Sequence, residues 1–281
     1  GYKFSLSENN KIYNRNRVVS SNMLFSKYDN VFESSYFLSH TFEFMYGITD
    51  KLTIFSKLGY IDKQTTYSDI NLDKANIYSS GFGDINLQFL YSIISSNKLK
   101  LHTNIGFDLP SGKFNKSDEL PYSMDIGKGY FSSILGFTSF FQFPKMSAGI
   151  QPVISLPLNK NSINFNLGAS TEIYYWFSLK LNNVISISYS QNYIFQSRVN
   201  GSSANLISDK NSDFDVINSG YKVLNNSFGL NASPLKGVLK NIRFSAEYVL
   251  PLYQSYNGYQ SRKINDFVLS LQYSPGGHMG H

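Results

Sequence analysis

The stretch Lys98-Leu99-Lys100-Leu101-His102-Thr103-Asn104-Ile105-Gly106-Phe107-Asp108-Leu109 alternates without a fault. Odd positions carry Leu99, Leu101, Thr103, Ile105, Phe107 and Leu109. Even positions carry Lys98, Lys100, His102, Asn104, Gly106 and Asp108. Successive side chains of a β-strand point to opposite faces, so a strand built from these residues has one apolar and one polar face. That is the pattern of a strand crossing a bilayer, with lipid on one side and a polar lumen on the other.

The pattern recurs outward from this stretch. Ile242, Phe244, Ala246, Tyr248 and Leu250 oppose Arg243, Ser245, Glu247 and Val249, and Ile85, Leu87, Phe89 and Tyr91 oppose Asp84, Asn86 and Gln88. Ile163, Phe165, Leu167, Ala169, Ile173 and Tyr175 oppose Asn164, Asn166, Ser170 and Glu172. Alternation and turn residues together predict twelve strands. The first is a weak one at Val18–Tyr28. Then come Tyr36–Tyr46, Leu52–Lys63, Gly81–Ile94, Leu99–Pro110, Gly129–Gln142, Met146–Leu158 and Ser162–Trp176. Ser178–Ile194, separated from its predecessor at Phe177, Asn218–Ala232, Lys240–Leu250 and Lys263–Tyr273 complete the set. Short turns alternate with longer connections at 64–80, 111–128, 195–217 and 251–262. Bacterial outer-membrane barrels sort periplasmic turns and extracellular loops in this way. The expected fold is an all-β, antiparallel, up-and-down transmembrane barrel of about twelve strands, with both termini periplasmic. It divides into an N-terminal periplasmic segment at 1–17, a barrel at 18–273 and a tail at 274–281. Asn192–Asp215, rich in Ser, Asn and Asp, reads as a mobile extracellular loop.

Composition agrees. The chain has 281 residues, no cysteine, and 21 Tyr and 23 Phe against one Trp. The aromatics suit interfacial girdles, and the missing cysteine removes disulfides, thiolate nucleophiles and Cys-based zinc sites. No apolar run approaches the ~18–20 residues of a spanning helix. A soluble β-sandwich is the competitor, but its strands are typically about five or six residues long. The net charge of +6 is carried by scattered lysines, which form no nucleic-acid patch. Polar sequence begins directly at Gly1, as in a mature chain whose signal peptide has been removed.

The polar faces collect Glu43, Lys57, Asp84, Lys100, His102, Asp108, Glu172, Lys180, Arg243 and Glu247. A charge facing hydrocarbon at mid-depth costs roughly 2–4 kcal/mol, so these side chains are expected in the lumen. There they either fill a closed barrel or line a solute path. Both signs occur, so no ion preference follows. Two features resist the pattern: Gly129–Gln142 is apolar on both faces, and His40 falls on an apolar face. Asn226 is a further polar residue on an apolar face. A Ser–His–Asn site on the outer wall, as in one twelve-stranded phospholipase barrel, lacks its motif contexts here, and no enzyme and no cofactor are expected. His278, Met279 and His281 in the C-terminal tail suit a soft metal ion.

Four segments together carry a resemblance. They are Tyr46-Gly47-Ile48-Thr49-Asp50-Lys51-Leu52, Gly81-Phe82-Gly83-Asp84 with its following strand to Tyr91, Phe107-Asp108-Leu109-Pro110-Ser111-Gly112-Lys113, and Asp125-Ile126-Gly127-Lys128-Gly129. In order and spacing they resemble the outer-membrane transporter-like barrels grouped under the meta-pathway of phenol degradation, over roughly residues 36–195. The resemblance implies a barrel of about twelve strands that moves small, often hydrophobic compounds. The expected function is therefore an outer-membrane channel or transporter for a small solute, in contact with lipid. The alternative is a closed, plugged barrel that anchors a larger cell-envelope complex through a protein partner.

Overall fold

A computed structural model describes residues 1–115, 120–201 and 210–275. In chain order its elements are β1 (Tyr2–Arg15), β2 (Arg17–Val19), α1 (Ser21–Phe25), β3 (Val31–Gly47), β4 (Leu52–Ser68), β5 (Lys74–Phe82), β6 (Ile85–Ser95), β7 (Leu99–Leu109) and β8 (Ser132–Gln142). They continue with β9 (Met146–Pro157), β10 (Phe165–Asn166), β11 (Ser170–Lys180), β12 (Ile185–Gln196), β13 (Asn200–Gly201), β14 (Tyr221–Ala232) and β15 (Ile242–Tyr273). Antiparallel neighbours run from β15 through β14, β12, β11, β9, β8, β7, β6, β4 and β3 to β1. The barrel closes where β1 pairs β15, with Tyr2 opposite Leu271. Closure leaves no unpaired wall edge, which a lipid environment demands of a sheet.

Eleven strands close this barrel, with β2 and β5 outside it, where twelve were expected. The difference lies in β15, which is 32 residues long. The expected Lys240–Leu250 and Lys263–Tyr273 are its two arms. The first arm pairs β14 and the second pairs β1. The chain reverses at Asn257-Gly258, where Gly258 adopts φ +77°. The arms meet again at their far ends, where Ser274 N donates to Asn241 O at 3.1 Å.

The N-terminal reading needs correction. Residues 1–17 are not a segment outside the barrel: Tyr2–Arg15 is a wall strand, paired on both sides. Val18–Tyr28 is not a wall strand but holds the end of β2, the short helix α1 and a turn. The new first strand accounts for His40. Phe4 lies directly opposite His40, and Tyr2 Oη shares a 2.7 Å hydrogen bond with its Nδ1. The other outward polar residue, Asn226, accepts hydrogen bonds from Tyr189 Oη and Gln191 Nε2, both at 3.1 Å.

The expected break at Phe177 also moves. Phe177 is an exposed wall residue inside β11, and the turn falls at Leu181–Val184, where Asn182 Oδ1 accepts from the amides of Val184 and Ile185. Phe165 belongs to the short pair β10–β13 and is buried, not lipid-facing. The apolar character of β8 on both faces has a simple origin. Leu135, Phe137 and Phe141 point outward, while Ile134 and Phe140 line the lumen.

The opening stretch forms β7 as read. Ile105 is 53% exposed and Asn104 3%. This parity holds around the lower barrel, near the short turns, where outward Phe and Leu side chains form a continuous apolar band. At the end carrying the long loops the arrangement inverts. Ile12, Leu24, Tyr28, Val31, Phe32 and Tyr67 pack into a buried interior cluster, while Thr66 and Asn76 hydrogen-bond on the outside. Tyr36, Tyr60, Tyr78 and Phe82 mark the change of face, with Tyr60 and Phe82 in edge contact at 5.2 Å. Aromatic side chains of mixed polarity belong at such a membrane–water boundary.

Candidate functional site: a segmented lumen

Among the described residues three cavities follow one another along the lumen. The upper, of about 490 Å³, lies beneath the cap. The middle one, of about 470 Å³, is lined by Lys57, His102, Asp108 and Glu172. The lower one, of about 430 Å³, is lined by Lys100, Lys180, Arg243 and Glu247. Eight of the ten residues expected in the lumen thus sort into two polar chambers. Glu43 lies near the chain start, 4.0 Å from Lys3 Nζ.

Asp84 has a different task. It follows β5, outside any strand, and its two carboxylate oxygens accept from Gly112 N and Lys128 N, each at 2.9 Å. Ser111 Oγ accepts from Ile85 N at 3.0 Å, and Gly127 N donates to Lys113 O at 2.7 Å. The three glycine motifs of the sequence therefore meet in one clasp. A Cβ on Gly112 would lie 2.7 Å from Gly83 C, and one on Gly127 would lie 2.6 Å from Gly112 C. The requirement for glycine here is close backbone approach. The clasp ties residues 111–113 to residues 127–128, and Lys128 lines both the upper and middle cavities.

Lys128 is the principal site residue that strand reading missed, because it sits in a connection. Its Nζ lies 2.6 Å from Asp108 Oδ2. From there a chain of hydrogen bonds runs down the inner face of the neighbouring strands β6 and β7: Asn86 Nδ2 to Asp108 at 2.7 Å, Gln88 Nε2 to Asn86 at 2.7 Å, and Asn104 Nδ2 to Gln88 at 2.5 Å. On the facing wall Tyr174 Oη donates to Glu172 at 2.7 Å, and lower down Arg243 donates to Asn231 at 3.0 Å. Trp176 reaches into the lower cavity over Gly149, where a Cβ would lie 2.2 Å from the indole.

The upper cavity is more apolar. Phe37, Phe114, Phe165, Leu167, Ile194 and Val223 share its wall with Lys63, Asp125, Lys128, Asp213 and Lys263. Lys63 Nζ donates to Ser123 O at 2.8 Å and Asp125 O at 2.7 Å. Burial pushes the Asp125 carboxyl up to about 6, against the opposing pull of the Asn115 amide and the Lys63 ammonium. Above it, residues 211–215 are buried, which corrects the expected mobile loop over that part. Tyr67 Oη donates to Asp213 at 2.8 Å and Tyr28 Oη to Asp215 at 3.3 Å. Burial raises the Asp213 carboxyl, with the Tyr67 hydroxyl pulling the other way.

Among the described residues no cluster of three or more His, Cys, Asp or Glu is placed to hold a metal. His278, Met279 and His281 lie outside the described residues.

No family model matches this chain, and no curated protein matches it. Solved structures do. The COG4313 outer membrane channel from Pseudomonas putida F1 superposes with a TM-score of 0.61 at 13% identity, over 96% of this chain and 94% of the channel. The NanC porin gives 0.50 at 8% identity, over 97% of this chain and 99% of the porin. The transport unit of the autotransporter AIDA-I from Escherichia coli gives 0.51 at 9% identity, over 97% and 89%. At these identities the likeness is one of architecture: the chain has the fold of an outer-membrane β-barrel.

Proposed function

We propose that this protein is a bacterial outer-membrane channel for a small, largely apolar solute, with the short turns and both termini on the periplasmic side. The observation that carries this reading is the graded lumen. An apolar upper cavity is followed by two polar chambers, all within a closed wall whose lower outside is apolar. The middle chamber balances Lys57 and Lys128 against Asp108 and Glu172, whereas the lower sets Lys100, Lys180 and Arg243 against Glu247 alone and leans toward anions. The resemblance of the glycine motifs to transporter-like barrels supports the same reading, as does the architecture shared with an outer-membrane channel.

The connection carrying Lys128 supports a second reading, a closed barrel that anchors an envelope partner. Single-channel recording in planar bilayers, paired with uptake of small aromatic compounds into proteoliposomes, separates the two. The channel reading expects small discrete conductance steps and uptake above that of empty liposomes. Neither conductance nor uptake would leave the closed anchor.

A further inference from the structure

The upper cavity contains a cation that forms no ion pair among the described residues. Lys63 projects from β4, paired with Phe37 on β3 and Ser79 on β5. Its ammonium donates to two backbone carbonyls and stands 5.7 Å from the centre of the Phe37 ring. These acceptors are neutral. The other two lysines of this cavity are ion-paired, Lys128 with Asp108 at 2.6 Å and Lys263 with Asp266. Among the described residues, no carboxylate oxygen comes within ion-pair distance of Lys63 Nζ. Asp125 offers Lys63 its carbonyl, while its carboxyl turns to Asn115 N at 3.0 Å. Asp213 is engaged by Tyr67 Oη.

An enclosed ammonium without a partner is costly, and an ammonium carries three donors, of which two are used here. The geometry points to an amphiphilic organic acid as the occupant, with its carboxylate on Lys63 and its apolar body against Phe37, Phe114 and Phe165. Phe114 and Phe165 stand edge to face at 6.4 Å, forming a wall suited to a ring or a short alkyl chain. A volume of about 490 Å³ holds one small molecule of that kind. This inference rests on the reading of the lumen as a solute path and adds the head group that the path selects.

The test compares 4-phenylbutyrate with 4-phenylbutan-1-ol, which share a body and differ in the head. Binding to the full chain in lipid nanodiscs is measured by calorimetry for the wild type, Lys63→Met and Lys63→Arg. A charge-assisted contact predicts that the wild type binds the acid about ten-fold more tightly than the alcohol. Lys63→Met loses that preference while keeping its affinity for the alcohol, and Lys63→Arg retains the preference. Equal binding of acid and alcohol by the wild type overturns the inference and leaves the cavity reading intact. That comparison needs no variant, so it stands even if Lys63→Met fails to fold. A preference that survives in a folded Lys63→Met also overturns it. Binding of neither compound overturns the inference and the cavity reading together.

Discussion

The lower barrel and the cap above it are made from the same strands with opposite insides. Around β7 the outside is apolar and the inside polar, with Ile105 exposed and Asn104 buried in a hydrogen-bonded chain. Sixteen ångströms or so of strand, about five residues, separates this regime from one in which apolar groups turn inward. There Leu24, Phe32 and Tyr67 form a buried interior and Thr66 faces out. Strand geometry is common to both regions, so the environment decides which face is which. Where lipid surrounds the wall, the apolar face turns out. Where water surrounds it, the hydrophobic effect drives that face in. The clasp at Asp84 lies between the two and ties the connection carrying Lys128 to both.

The largest effect is expected from breaking the clasp. In Gly127→Val the new side chain meets the Gly112 backbone, which cannot rotate away, so residues 125–128 have to leave their seat against 111–113. Conductance is expected to rise several-fold, with new protease cleavage near residues 111–113 and 125–128. Unchanged conductance and cleavage would mean that these residues do not narrow the lumen.

A smaller effect sharpens the contrast between regions directly. Leu230 on the lower wall and Ile70 at the tip of the β4–β5 hairpin are both exposed. Leu230→Lys is expected to cost up to about 2–4 kcal/mol of folding free energy in lipid vesicles, because the ammonium faces hydrocarbon. Ile70→Lys faces water and is expected to change stability by less than about 0.5 kcal/mol. Equal costs in a urea titration would erase the distinction between band and cap.

The smallest effect is one of pH. The Asp125 carboxyl is pushed up to about 6 in the folded protein, above the ordinary 3.8, because burial disfavours its charge. Between these values the folded state holds more protons than the unfolded state, so stability falls as pH rises through this window and levels off above it. Asp125→Asn is expected to remove that slope, as read from urea midpoints between pH 4 and 7. A slope retained in the variant would place its source elsewhere.

Much of the lower barrel was legible because lipid enforces one rule on every strand. Lys98–Leu109, Met146–Leu158 and eight of the ten polar-face residues could be read from parity, while Asp84 lies between strands. β1 escaped because it starts at the second residue and its alternation is broken by register shifts at Glu8/Asn9, Asn10/Ile12 and Asn14/Arg15. The two arms of β15 were legible as separate passages because turn residues lie between them, although they form one continuous strand element. The cap was illegible for a physical reason: a strand keeps period two when its faces exchange roles, so nothing local announces the exchange. Lys63 and Lys128 gain their importance only from the segment folded against them, and sequence spacing does not report that.

The face exchange along β4 is the central claim, and the absence of cysteine from the chain makes it directly measurable. Spin labels attached to Ile54→Cys, Leu58→Cys and Thr66→Cys, all on the outer face of one strand, are read in lipid vesicles for collision with oxygen and with a water-soluble nickel chelate. The account predicts oxygen-dominated relaxation at 54 and 58 and nickel-dominated relaxation at 66. Nickel-dominated relaxation at 54 and 58 would contradict it, because the lower wall would then face water.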